Sequence, residues 1–375
     1  MKFEVDRDSL FSALQRIQSV VEKKNTVQIL SNILCVASEG KLFLSATDLE
    51  VGMRVEVPVK TDQDGKITLS GKHFLDIIKE LPSKPVKISR KSNDWVEIVS
   101  GKSRFSVVSL AASEFPTMPS FEEKKYHQAK GKALNDMIHK TWFAVSTDAT
   151  RYHLNGVYFE SLDNAREDSG ALMRMTATDG HRLSFVDQEV FLKMPDLKKG
   201  MIIPKKGLGE LKKILDEEKP ESIRIAFDQG YFYAHSGSTY LFIRLIEGEY
   251  PDYRQVIPKA TEHVVVLSRE DFTAALRRVS LLAHEKSRGV KFSFKPGVLM
   301  ISTSNPDTGE ATEDIEIEYT GDAVEMGFNA RYLLDCLPTL ESEELEFKFK
   351  DRLSPGVIQG KNSKNHTYII MPMRI

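Results

Sequence analysis

Cysteine is scarce in this chain, with 2 among 375 residues, Cys35 and Cys336. Two isolated thiols make no CxxC, no Cys/His zinc cluster and no disulfide framework, which fits a reducing compartment. Long apolar runs are also missing: nothing approaches the ~20 residues needed to span a bilayer, so no membrane is expected as a partner. The opening MKFEVDRDSL carries acids where a secretory leader has a basic and then an apolar stretch, and a cytoplasmic location is expected. There is no basic excess either, since 52 Lys and Arg stand against 54 Asp and Glu. That balance does not exclude nucleic acid, because affinity depends on where cations sit. The glycines of KKGLG lack the GKS or GKT ending of a phosphate loop. Neither cofactor nor metal is expected.

What is present is repetition. SGKHFLDIIKELP from Ser70, IPKKGLGELKKILD from Ile203 and FNARYLLDCLPTL from Phe328 each run from a short lead-in through a basic residue into a helix. The strand–turn–strand stretches KLFLSATDLEVGMRVEV and ALMRMTATDGHRLSFVD align Thr47 with Thr178, an offset of 178 − 47 = 131. VLMISTSNPDTGEATEDIEIEY follows as a third copy. Phe115-Pro116 recurs as Tyr250-Pro251, and the helices RDSLFSALQRIQSVVEKK, KALNDMIHKTWFAVS and REDFTAALRRVSLLAHEKSR open the three units. The expected organisation is α+β, in three tandem similar domains over 1–122, 123–258 and 259–375. The closing HTYIIMPMRI then reads as the last strand of the third unit, paired within a sheet.

The helices carry the cations. Leu208, Leu211, Ile214 and Leu215 form one stripe, with Lys205, Lys206, Lys212 and Lys213 largely opposite. Phe272, Leu276 and Val279 leave Arg277 and Arg278 elsewhere. The first helix buries Leu10, Leu14, Ile17 and Val21 and exposes Arg16, Lys23 and Lys24. Acids gather in strands, as in Glu310, Glu313, Asp314, Glu316 and Glu318. A lysine face taken alone is solubilising; repeated over like-oriented units it becomes a positive track for phosphates, without sequence readout. Without an aromatic stacking element, duplex suits it better than single strands.

RYHLNG (Arg151 to Gly156), ATDGHRL (Ala177 to Leu183), YPDYRQVIP (Tyr250 to Pro258), HEKSRGVKF (His284 to Phe292) and the terminal MPMRI together resemble the bacterial DNA polymerase III beta subunits, the sliding clamps. The resemblance covers essentially the whole chain. It implies a clamp fold with helices lining the inside and antiparallel sheets outside, closed into a ring by a head-to-tail homodimer around double-stranded DNA. It implies no catalysis but a processivity role. Partners would be the polymerase III alpha subunit, the clamp loader and other proteins with short hydrophobic clamp-binding motifs. By position, the peptide pocket would comprise Leu154, Thr178, Gly180, His181, Arg182, Leu183, Pro251, Val256, Ile369, Ile370, Met371 and Met373. Besides the four lysines and two arginines above, DNA would meet Lys24, Arg151 and Tyr152. The chains would join through Phe105 and Val107 on one edge and Leu281 and Leu282 on the other. Two departures stand out: His153 where relatives have a second tyrosine, and Asp148 in place of a DNA-contacting glutamine.

Two other readings stay open from the residues alone. Asp179, His181 and Arg182, with His153, have the types used for acid–base work or metal binding, as in a hydrolase. No third ligand or nucleophile accompanies them, and the other repeats have TDLEV and NPDTG at that turn. A protein-only repeat scaffold would use the pocket and not the basic helices.

Overall fold

The computed structural model describes residues 1–21, 27–91, 94–121, 124–162, 171–191, 199–228 and 230–374. Helices form where apolar residues recur every three or four positions between caps. Helix α1 (Arg7–Ile17) starts at Asp6, whose carboxylate accepts the Ser9 N–H at 2.8 Å, and buries Leu10, Ala13, Leu14 and Ile17. Helix α2 spans Gly71–Glu80, α3 Gly131–Thr141 and α4 Lys205–Glu218. Helix α5 (Arg269–Val279) is capped by Ser268, and α6 (Ala330–Cys336) by Asn329, which accepts from the Arg331 and Tyr332 N–H groups. α1 ends earlier than its periodicity implies; Val21 is buried beyond it, and Lys23 and Lys24 lie outside the described residues.

The chain divides into two compact units, Met1–Lys132 with Lys206–Leu245, and Ala133–Lys205 with Ile246–Ile375. These are not the sequence repeats. Each holds an antiparallel sheet assembled from two successive repeats. In the first unit the order is Gly65–Ser70, Asn32–Ser38, Lys41–Thr47, Val51–Gln63, Thr239–Arg244, Tyr231–Ser236, Ser222–Phe227 and His127–Lys130. In the second it is Met201–Pro204, Gly156–Ser161, Ala171–Thr178, Arg182–Phe191, His366–Ile370, Gly356–Gly360, Glu344–Phe349 and His263–Ser268. The same strand order recurs because each repeat leaves a strand edge that its successor covers.

A shorter sheet remains in each unit. In the first, Lys2–Val5, Val86–Arg90, Trp95–Ser100 and Ser103–Val108 run in that order. In the second, Gly309–Glu316, Val298–Asn305, Gly289–Lys295 and Val324–Asn329 do so. The closing segment pairs as expected: His366–Ile370 is wholly buried and hydrogen-bonded to strands on both sides.

Candidate functional site

The hairpin turn between Ala171–Thr178 and Arg182–Phe191 is built by its own side chains. The Thr178 hydroxyl donates to the Arg182 carbonyl at 2.6 Å and accepts the Gly180 N–H. One Asp179 oxygen accepts the N–H groups of His181 and Arg182 at 2.9 and 3.0 Å. Gly180 adopts φ +89°, and a Cβ there would stand 2.8 Å from the Arg151 guanidinium, so glycine is favoured at the position. Asp179 is therefore a turn former and a partner of Arg182. Among the described residues no group of three His, Cys, Asp or Glu could hold a metal.

Arg182 is buried and fully engaged. It donates to Asp179 at 3.0 Å, to Asp335 at 2.7 Å and to the Phe143 carbonyl at 2.7 Å, and its guanidinium lies 4.4 Å over the Tyr332 ring. Burial opposes its charge, but Tyr368, Asp335 and Asp179 hold its pKa above the ordinary arginine value. It braces the wall instead of presenting a free charge. The exposed His181 ring stacks on Tyr332, 6.4 Å away and 20° inclined, while the His181 carbonyl accepts the Met371 N–H at 2.9 Å.

Below the turn, Leu183 pairs with Ile369, and both join Phe185, Tyr253 and Val357 in one apolar cluster. Tyr250 and Ile257 pack on it, so the stretch carrying Pro251 and the exposed Val256 is laid over the same floor. Ile370 departs from the expectation: strand alternation turns it away from Ile369 into the core with Tyr368 and Phe347. Met373 is bound further along, its N–H donating to Gly327 at 2.9 Å, and its side chain lies near Gly289. Leu154 is buried at the end of a 3-10 turn whose cap is Asp148.

The cations are less uniform than their helical spacing implies. Lys206 pairs with Asp48, Lys212 with Asp216, Lys213 with Glu210 and Arg278 with Glu313. Two of those acids lie on α4 itself, at the three- and four-residue spacings that bring opposite charges together. Arg16, expected to be exposed, is half-buried against Glu217 and Glu218. Arg277 is exposed. Lys205 is drawn inward, its ammonium 5.0 Å over the Trp142 ring; burial, then Arg182, lowers its pKa. Tyr152 is 57% exposed, and Arg151 stands 3.7 Å from Asp148. Asp148 also accepts from the Thr150 backbone and hydroxyl, and those bonds hold its carboxyl below the usual range. Lys24 lies outside the described residues.

Phe105 and Val107 lie on Ser103–Val108, which among the described residues pairs on one side, with Trp95–Ser100. Val107 lines a cavity of about 380 Å³ with Phe74, Ile77, Ile98 and Leu110. Leu281 is 81% exposed, whereas Leu282 is half-buried with its side chain near Gly309. Sequence reasoning missed Tyr332, Trp142 and Asp335, whose meeting with the turn depends on contacts across up to 153 residues.

Three domain descriptions of one family match consecutive stretches of the chain: DNA polymerase III beta subunit, N-terminal domain over 1–119, central domain over 128–252 and C-terminal domain over 254–374. The beta sliding clamp of Caulobacter vibrioides is 34% identical, with both chains covered in full. The chain belongs to the DNA polymerase III beta subunit family. As a sliding-clamp chain it is a processivity subunit without catalytic chemistry of its own, built from three tandem similar domains. The Pseudomonas aeruginosa beta sliding clamp is 32% identical over the full length of both. Among solved structures, Caulobacter crescentus pol III beta superposes with a TM-score of 0.93 at 34% identity. The Bartonella birtlesii sliding clamp bound to griselimycin gives 0.93 at 35%, each with full coverage of both chains.

Proposed function

We propose that two copies of this chain close head to tail into a ring that encloses duplex DNA and tethers the replicative polymerase to it. The observation that supports this most strongly is the pair of half-sheets. Strand Ser103–Val108 holds, in its sheet, the place that Thr239–Arg244 holds in the first long sheet; Gly309–Glu316 holds the place of Val51–Gln63. Since Thr239–Arg244 pairs with Val51–Gln63 inside one chain, Ser103–Val108 of one copy is suited to Gly309–Glu316 of another. Charge agrees, with exposed Arg104 on one edge and Glu310, Glu313, Asp314 and Glu316 on the other. Exposed Leu281 is the apolar knob for the cavity beside Val107. Such a contact is heterologous and must close by rotation to avoid a filament.

DNA is then held by enclosure, with Lys206, Lys212, Lys213, Arg277, Arg278, Arg151 and Tyr152 giving a salt-sensitive field. Lys212 and Arg278 pair with exposed or half-exposed acids, contacts worth about 0–1 kcal/mol, so phosphates can displace those acids, whereas Asp48 and Glu210 are buried against Lys206 and Lys213. Partners, including the polymerase alpha subunit and the clamp loader, dock short apolar peptides over Leu183 and Ile369, between His181, Met371, Pro251 and Val256. The expected location is cytoplasmic. Protein loaded onto circular DNA should stay on the circle and be lost once it is linearised. Equal retention on both forms, or a solution mass of one chain, refutes enclosure.

A further inference from the structure

The inner side of the turn opens on a cavity of about 610 Å³ that the apolar groove does not account for. His181, Arg182 and Tyr332 belong to its wall, so the cavity and the groove share the stacked His181–Tyr332 pair. Its remaining lining is charged. The acids are Asp148, Asp179, Glu285 and Asp335; the cations are Arg151, Arg182, Lys205, Lys286, Arg288 and Arg331. Arg182 takes up Asp179 and Asp335, and Arg151 faces Asp148. Lys205, Lys286, Arg288 and Arg331 are left against Glu285 alone. Lys205 sits over Trp142, half-buried and without a carboxylate among the described residues, a placement that disfavours its own charge.

We propose that this cavity receives an acidic side chain of a peptide whose apolar part lies in the neighbouring groove, so that Lys205, Arg288 and Arg331 select partners with a carboxylate beside the anchor. The inference rests on the peptide-docking reading above. A single carboxylate suits the site better than a nucleic-acid backbone. The lining carries six cations against four acids, three of which are already paired. An excess of 6 − 4 = 2 positive charges is left for one or two carboxylates, whereas a nucleic-acid backbone brings a longer run of charge. The groove supplies the reach through the residues it shares with the cavity.

The test uses the full-length protein and two synthetic peptides with the same Leu/Phe anchor, one flanked by glutamates and one by glutamines. The chain has 2 tryptophans, so Trp95→Phe leaves Trp142 as the sole reporter inside the cavity. The glutamate peptide should bind about tenfold more tightly at low salt and shift Trp142 emission, and the advantage should fall as added salt screens it. Arg288→Asn with Arg331→Gln should remove the advantage while leaving the glutamine peptide's affinity unchanged. Both arginines are exposed, and asparagine tolerates the positive φ of 49° at Arg288. Equal affinity for the two peptides, or an advantage that survives the double substitution, overturns the inference. So does a single-stranded oligonucleotide that shifts Trp142 emission when the glutamate peptide does not. Failure of the glutamine peptide to bind at all would instead sink the docking reading itself.

Discussion

The turn 47–51 of the first unit and the turn 178–182 of the second are wired alike. Thr47 donates to the Val51 carbonyl at 2.9 Å and accepts the Leu49 N–H, and Asp48 accepts from Glu50 and Val51, bond for bond the pattern of Thr178 and Asp179. The side chains placed on that frame differ. Gly180, His181 and Arg182 stand where the first unit has Leu49, Glu50 and Val51. Leu49 keeps the left-handed φ of 77° and is 52% exposed, whereas the glycine yields its space to Arg151. Val51 is wholly buried, whereas Arg182 reaches Asp335 and Tyr332. One repeated backbone frame thus carries different side chains at three positions.

Arg182→Ala should show the largest difference. It strands Asp179 and Asp335, and removing one member of a buried ion network costs about 3–5 kcal/mol. Denaturant unfolding should show a shift of that size. A loss below about 1 kcal/mol would mean that the Asp179–Arg182–Asp335 network adds little to stability.

The next strands compare in the same way. His366 occupies the register position of Thr239, since Val186 pairs with His366 as Val55 pairs with Thr239. Thr239 accepts from Arg16 at 2.7 Å beside Glu218. His366 meets the Ser184 hydroxyl at 3.1 Å, with Lys140 paired to Glu341 nearby. Burial first, then the Lys140 charge, push the His366 pKa from 6.5 down to about 4. The folded histidine stays neutral where the unfolded one takes a proton. Stability is therefore lost as pH falls from about 6.5 to about 4 and levels off below, by up to about 3 kcal/mol. His366→Thr, which copies the other unit, should remove that slope; unfolding curves at pH 7 and pH 4.5 that move in parallel for both proteins would contradict it.

Much of this was legible in sequence because it is local. Stripes such as Leu208, Leu211, Ile214 and Leu215 follow from helical spacing, and all four are buried. The closing strand followed from apolar residues and the repeat. What escaped is non-local or directional. Ile369 and Ile370 are identical in type, and only the sheet determines which joins Leu183 and which joins the core with Tyr368. Lys206 meets Asp48 because two repeats share a sheet, and nothing near either residue announces it. The compact units cut across the repeats for the same reason, since each repeat's edge is completed by the next.

Gly180→Leu carries the first unit's residue into the second. The left-handed conformation costs a non-glycine residue about 1–2 kcal/mol, and the new side chain must displace Arg151. Binding of an apolar peptide should weaken about tenfold while the solution mass is unchanged. Undiminished affinity would show that the turn's profile does not shape the groove.

The reverse change, Leu49→Gly, should have the smallest effect, and its sign is informative. Relief of the left-handed strain favours glycine by about 1–2 kcal/mol, against a loss of about 0.5–1 kcal/mol from the greater freedom of the unfolded chain. Leu49 is half-exposed, so little burial is forfeited, and the net expectation is stabilisation by about 0.5 kcal/mol. A measurable rise in the unfolding midpoint would identify Leu49 as strain retained in a turn whose counterpart shed it. A fall would mean that the exposed leucine has a contact worth more than its strain, and that the two turns differ in packing as well as in their side chains.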